Sequence, residues 1–221
     1  MAKGVIVEYD FAAIDGAGLL HDTTKKYLAQ LDAIPFNSKV EAKYLAGGNY
    51  QGALQEYFNV IKTKKTAVKS ARELSAAFCE RLTTVISDSS LTPNFISFVR
   101  TLSNRGVRVV ILTRADIETV RPAFAPLIAD GVVLFHEESM CYGSVKWDSW
   151  RRAAVGSGLS RLNTLVVTGS GFGVKSALLA GMGSLAVTNP HVAYQDFTGA
   201  DEVVTVLDAD AASKALAILR V

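Results

Sequence analysis

Two carboxylates, Glu8 and Asp10, stand two residues apart directly after the β-branched run Val5-Ile6-Val7. Acidic side chains where a strand meets solvent are groups that general acid and base chemistry draws on. An Asp in such a place can instead cap the following loop by accepting hydrogen bonds from backbone N–H groups. Both readings of Asp10 stay open, and Glu8 is either a working carboxylate or an acid that merely ends a strand. A second feature is the run Thr168-Gly169-Ser170-Gly171-Phe172-Gly173-Val174-Lys175-Ser176. It superficially suggests a phosphate-cradling loop, yet Val174 separates Gly173 from Lys175, where a Walker loop needs Gly-Lys-Ser/Thr in succession. Its glycines follow G-x-G-x-G rather than the G-x-G-x-x-G of dinucleotide-binding turns. Gly169, Ser170 and Gly171 before a helix would still expose N–H groups to an anion; a tight turn without ligand is the alternative.

Other reactive side chains are more scattered. Cys79 and Cys141 lie far apart without a C-x-x-C or Cys/His cluster, which indicates neither a zinc site nor a disulfide framework, and both read as reduced, buried thiols. His21, His136 and His191 show no metal-ligand spacing. Trp147 and Trp150, on one helix, read as core or interface aromatics rather than a cofactor platform. The segment Lys62-Thr63-Lys64-Lys65, with Lys69 and Arg72, is either a solvated helix face or a basic lining that steers phosphates. With 23 basic and 21 acidic residues, the net charge of +2 is too even for the field that non-specific nucleic-acid binding relies on. No stretch approaches the roughly 18 consecutive apolar residues of a membrane span. The apolar run at the N-terminus ends at Glu8, before a secretory segment would be complete, so a cytoplasmic location is expected.

The elements that must position these groups follow from the hydrophobic pattern. Val5-Ile6-Val7 reads as a buried strand that delivers its C-terminal end to solvent at Glu8, followed by a loop through Asp15 and Gly16. From about Leu19 to Ile86 apolar residues recur at helical spacing, as in Tyr27, Leu28, Leu31 and again in Leu54, Tyr57, Phe58, Ile61. Helix and strand then alternate: strands at Val107 to Leu112, Val132 to Phe135, Leu165 to Val167 and Ser184 to Val187, with helices at Ile117 to Ile128, Trp147 to Val155 and Val174 to Ala180. A last apolar run from Val203 to Leu207 precedes a C-terminal helix from Ala211. Single helices between strands predict an α/β fold with a doubly wound parallel sheet, and the helical block predicts a smaller all-helical inserted domain. The expected division is 1–16 with 88–221 for the core and 17–87 for the insert. Ligands in such sheets bind at the carboxyl ends of strands, so the loops opening at Glu8, Thr113 and Thr168 are where function should lie.

Those loops carry recognisable text: Val109-Val110-Ile111-Leu112-Thr113-Arg114, then Lys146, then Val166-Val167-Thr168-Gly169-Ser170 followed by Ala180-Gly181-Met182. In this order and spacing, over nearly the whole chain, it resembles the haloacid dehalogenase superfamily, specifically its helical-cap, phosphoglycolate phosphatase-like branch. The resemblance implies a Rossmann-like core, a helical cap and a Mg2+-dependent phosphoryl-transfer site.

Measured against that pattern, the chemistry is degraded. Family members begin with Asp-x-Asp-Gly-Thr, nucleophile first and general acid/base second; here the text is Glu8-Tyr9-Asp10-Phe11-Ala12. Asp10 fits the acid/base position, while Glu8 replaces the nucleophile and Ala12 the Thr. Gly169 and Gly173 stand where the fourth motif places its metal-holding acids. The resemblance makes Thr113, Arg114 and Lys146 the phosphate-binding residues and leaves Glu8 and Asp10 as ligands of a weak or lost Mg2+. An added methylene displaces the Glu8 carboxylate by about 1–1.5 Å, and a misplacement of about 1 Å can cost on the order of a hundredfold in rate. Lys146 is the expected counter-charge for the two carboxylates. The implied function is impaired or absent phosphomonoester hydrolysis with a possible anion- or protein-binding role; the alternative is an active but atypical phosphohydrolase on a small phosphorylated metabolite.

Overall fold

The computed structural model describes residues 2–31, 50–60, 69–137 and 145–221. Its centre is a six-stranded, wholly parallel sheet of order β3-β2-β1-β4-β5-β6. The strands are β1 (Gly4–Glu8), β2 (Arg108–Thr113), β3 (Val133–His136), β4 (Thr164–Thr168), β5 (Gly183–Val187) and β6 (Glu202–Val204). Strands covered on both faces are apolar throughout rather than alternating. Accordingly every residue of β1 and of β4 is buried.

Alternation along each strand divides two cores. Val5, Val7, Val109, Ile111, Leu165, Val167 and Leu185 face one layer, with Phe95, Phe98, Phe124 and Leu216 of its helices. Ile6, Val110, Leu112 and Val166 face the other, against Trp150, Ala153, Ala154 and Ala177. The helices are α1 (Gly16–Gln30), α2 (Tyr50–Val60), α3 (Ala71–Ser87), α4 (Phe95–Ser103), α5 (Ile117–Ile128), α6 (Trp147–Gly156), α7 (Gly171–Ala180) and α8 (Ala209–Leu219). Layering on both sheet faces is the doubly wound architecture that the pattern predicts.

Among the described residues between 16 and 87 only helix is present. Both α1 and α2 pack on α3 through Tyr27, Leu28, Leu54, Tyr57, Phe58, Leu74 and Phe78. Ser70 and Glu73 close the start of α3 as a capping box, a Ser-x-x-Glu signature. The basic residues Lys62, Lys64 and Lys65 lie outside the described residues; Lys69 and Arg72 are exposed.

Several local readings are revised. The segment after β1 is not an open loop: Tyr9–Ala13 forms a buried π-helical turn, and Asp15 then caps α1 by accepting from the Gly18 N–H. Helix α7 begins at Gly171, so two glycines of the Gly-rich run lie in its first turn. Strand β6 stops at Val204. Cys79 is disulfide-bonded rather than a free thiol; Cys141 lies outside the described residues. No helix among the described residues is long and apolar enough to cross a membrane.

The two tryptophans of α6 separate cleanly. Trp150 is fully buried and donates from Nε1 to Ser176 Oγ at 2.7 Å, locking α6 to α7. Trp147 is 44% exposed, with the Arg151 guanidinium over its ring. In urea unfolding, Trp150→Ala should cost about 3–5 kcal/mol, whereas Trp147→Ala should stay within about 1 kcal/mol. Equal losses would contradict this account of the second core.

Candidate functional site

The site grows from the central strand. Register pairs Glu8 with Leu112 on one side, and the pairing of Val7 with Val167 brings Thr168 alongside Glu8 on the other. Strand pairing ends at Glu8; beyond it the π-helical turn holds Asp10 where the Arg114 side chain, one residue past β2, reaches it. Glu8, Asp10, Thr113, Arg114 and Thr168 therefore converge at the carboxyl ends of three adjacent strands, and all five are buried. The π-helical turn makes this possible: one extra residue per turn re-aims the chain immediately past the strand, a device often found at functional sites.

Arg114 holds both acids. Its Nε and Nη2 donate to Asp10 Oδ2, each at 2.5 Å, and Nη2 also donates to Glu8 Oε1 at 2.9 Å. The other Glu8 oxygen, Oε2, accepts from the Thr168 hydroxyl at 2.5 Å. The Phe11 ring lies against the guanidinium, 5.9 Å from Cζ to ring centre. Asp10 Oδ1 is buried without a hydrogen-bond partner. Burial raises the Asp10 pKa to about 6; Arg114 opposes that rise and Glu8 adds to it. The planar fork of an arginine suits this task, because it reaches two carboxylates with several donors at fixed angles.

The other candidates are spread more widely. Thr113 Oγ1 accepts from the Ala115 N–H at 3.0 Å, supporting the turn that leads to Asp116, which caps α5. Lys146 sits exposed at the start of α6, and neither Glu8 nor Asp10 pairs with it. The expectation that Lys146 supplies the counter-charge is thus corrected: Arg114, one residue past β2, takes that place. In the Gly-rich loop three backbone donors are already used. Ser170 N–H points to Thr168 Oγ1 at 3.3 Å, Gly171 N–H donates to Gln195 Oε1 at 3.0 Å, and Gly173 N–H donates to Ser170 Oγ at 2.9 Å. This favours the tight-turn reading over an anion cradle.

No family model matches the sequence, and no curated protein sequence does. Solved structures match the architecture. A phosphonoacetaldehyde hydrolase-like protein from Oleispira antarctica superposes with a TM-score of 0.72 at 14% identity, covering 99% of this chain and 93% of that one. CbbY from Rhodobacter sphaeroides gives 0.70 at 16% identity with both chains covered in full. A haloacid dehalogenase-like family hydrolase from Streptococcus pneumoniae gives 0.60 at 16% identity over 98% and 97% of the two chains. The chain has the haloacid dehalogenase-like fold.

That fold's resemblance implies Mg2+, and the residues present do not fit it. Magnesium needs near-octahedral oxygen ligation with at least one available carboxylate. Both Glu8 oxygens and Asp10 Oδ2 are engaged by Arg114 and Thr168, and no group of three metal-ligating side chains exists among the described residues. The Asp10 carbonyl oxygen is packed against Gly16, where a Cβ would fall only 1.5 Å from it. At the two positions that lack acids, side chains have no room: a Cβ on Gly169 would lie 2.0 Å from the Phe11 carbonyl oxygen, and one on Gly173 would lie 2.0 Å from Thr168 Oγ1. Packing therefore holds both positions to glycine. The sequence places Arg114 among the phosphate-binding residues; its pairing with Asp10 depends on the π-helical turn, which no sequence signal announces.

Two outcomes follow from this geometry. Gly169→Asp and Gly173→Asp should each destabilise the fold by about 1–3 kcal/mol through overpacking, read as a lower melting temperature that magnesium does not restore; a magnesium-dependent rise would overturn the packing argument. The Asp10 carboxyl keeps its proton in the folded state up to a pH of about 6, against 3.8 for an ordinary aspartate. Between those values the folded protein binds more protons than the unfolded chain, so this group's contribution to stability falls as pH rises through the window and is constant above it. Relative to wild type, Asp10→Asn should therefore gain about 2 kcal/mol on going from pH 4.5 to pH 7. Denaturant titrations of both proteins at the two pH values measure it, and no pH-dependent difference would contradict the burial of an ionisable Asp10.

Proposed function

We propose that this chain is a haloacid dehalogenase-like protein with impaired or absent Mg2+-dependent phosphomonoester hydrolysis, keeping a pocket for a small phosphorylated molecule or inorganic anion. The observation that carries this reading is the engagement of both Glu8 oxygens, one by Arg114 and one by Thr168. A nucleophilic carboxylate needs a lone pair directed along the line of attack and free to form a bond. Freeing one here means breaking a hydrogen bond to a charged group, about 1.5–3 kcal/mol. The added length of Glu8 relative to Asp acts in the same direction.

In this reading residues 17–87 form the cap, and Thr113 and Lys146 are the groups that contact the anion from the core. CbbY from Rhodobacter sphaeroides has been solved with phosphate and with xylulose-(1,5)bisphosphate, which supports a phosphorylated ligand as the class to try first. The cytoplasm is the proposed location. The second reading, an atypical phosphohydrolase, is favoured by one feature: a carboxyl titrating at about 6 is poised to donate a proton near neutrality.

A panel of phosphomonoesters assayed with magnesium separates the two. Turnover is expected to stay at background in wild type and in Asp10→Ala alike. Magnesium-dependent turnover abolished by Asp10→Ala would overturn the leading reading. The second reading instead expects a rate that declines as pH rises through about 6, because the proton donor must be protonated.

A further inference from the structure

We propose that Arg114 is the resident cation of this site: a tethered guanidinium that permanently takes the place of a soluble cation, so that its removal turns the pocket into an exchangeable cation-binding site. This rests on the preceding reading only in treating the wild-type pocket as free of divalent metal.

Three observations carry it. The two acids are wholly buried, and their only counter-charge among the described residues is Arg114, whose side chain is 3% exposed. Two buried carboxylates without a cation would repel each other and forfeit hydration, a penalty large enough to disturb the fold. The contact is also built rather than incidental. Nη2 bridges Glu8 and Asp10, Nε adds a second bond to Asp10, and the Phe11 ring flanks the group. Finally, the coordination is incomplete for the acids: Asp10 Oδ1 is buried and unpartnered. A guanidinium confined by its own stem cannot serve that oxygen, whereas a small untethered cation in the same space could. Lys146, the alternative cation at this end of the sheet, is exposed and pairs with neither acid.

The test replaces the tether with free cations. Arg114→Ala should melt about 10 °C below wild type. Millimolar guanidinium chloride should then raise its melting temperature saturably, with magnesium chloride as a second probe and sodium chloride at matched ionic strength as control. Wild type should show no saturable response to either. Adding Glu8→Gln and Asp10→Asn to Arg114→Ala should abolish the response, because the cation then has no charge to meet. A melting temperature of Arg114→Ala equal to wild type, or a decrease unaffected by both cations, would overturn the proposal. Should Arg114→Ala fail to fold, the triple variant Glu8→Gln, Asp10→Asn, Arg114→Met decides: stability near wild type supports a self-compensating charge cluster, and failure to fold removes it. Calorimetry on wild type provides an independent arm, where uptake of magnesium would overturn the proposal whatever the activity. Failure of wild type to bind inorganic phosphate or any phosphomonoester would sink the anion pocket of the preceding reading and leave this one standing.

Discussion

Two acids and one arginine, all excluded from water, set the terms for everything else at this end of the sheet. A carboxylate on the central strand of a parallel sheet has no solvent to turn to, so the fold must bring it a partner from the neighbouring strands. Thr168 comes from β4 and Arg114 from just beyond β2, one for each oxygen of Glu8. Asp10 joins because the π-helical turn keeps it at the same depth. Burial then favours the neutral form of Asp10, and Arg114 only partly offsets that preference.

Once Arg114 is in place, the surrounding backbone closes around it. The Phe11 carbonyl approaches Gly169, Asp10's carbonyl rests on Gly16, and Thr168 Oγ1 fills the space beside Gly173. Each approach requires the absence of a Cβ, so the glycines and the salt-bridged triad form one interlocked arrangement. Neighbouring atoms use the space beside these glycines, so a longer side chain at any one of them would require its surroundings to move.

Much of the architecture was legible in the sequence because parallel strands buried on both faces leave long apolar runs, as at Val107 to Leu112 and Leu165 to Val167. The helices among the described residues between 16 and 87 were legible from spacing such as Tyr27, Leu28 and Leu31. What escaped was local or relational. The π-helical turn has no periodic signature in five residues, and the entry of Gly171 and Gly173 into a helix contradicts their low intrinsic propensity; the Ser170 cap and tertiary packing override it. Glu8, Asp10, Thr113 and Arg114 were singled out, but the contacts among them were not, nor was the Thr168 hydroxyl on Glu8. Lys146 was favoured as counter-ion because two strand-end carboxylates need a cation and the resemblance offers a lysine; the need was read correctly, but Arg114 meets it, through a turn that the pattern does not reveal.

The location of the triad at the exit of β1 has a further implication for how the molecule opens. Strand β1 is flanked by β2 and β4, so its amides cannot be reached by fraying of an edge. Hydrogen exchange at Val5, Ile6 and Val7 should proceed only through global opening, which makes the integrity of the charged cluster and the cooperativity of the whole sheet one and the same property.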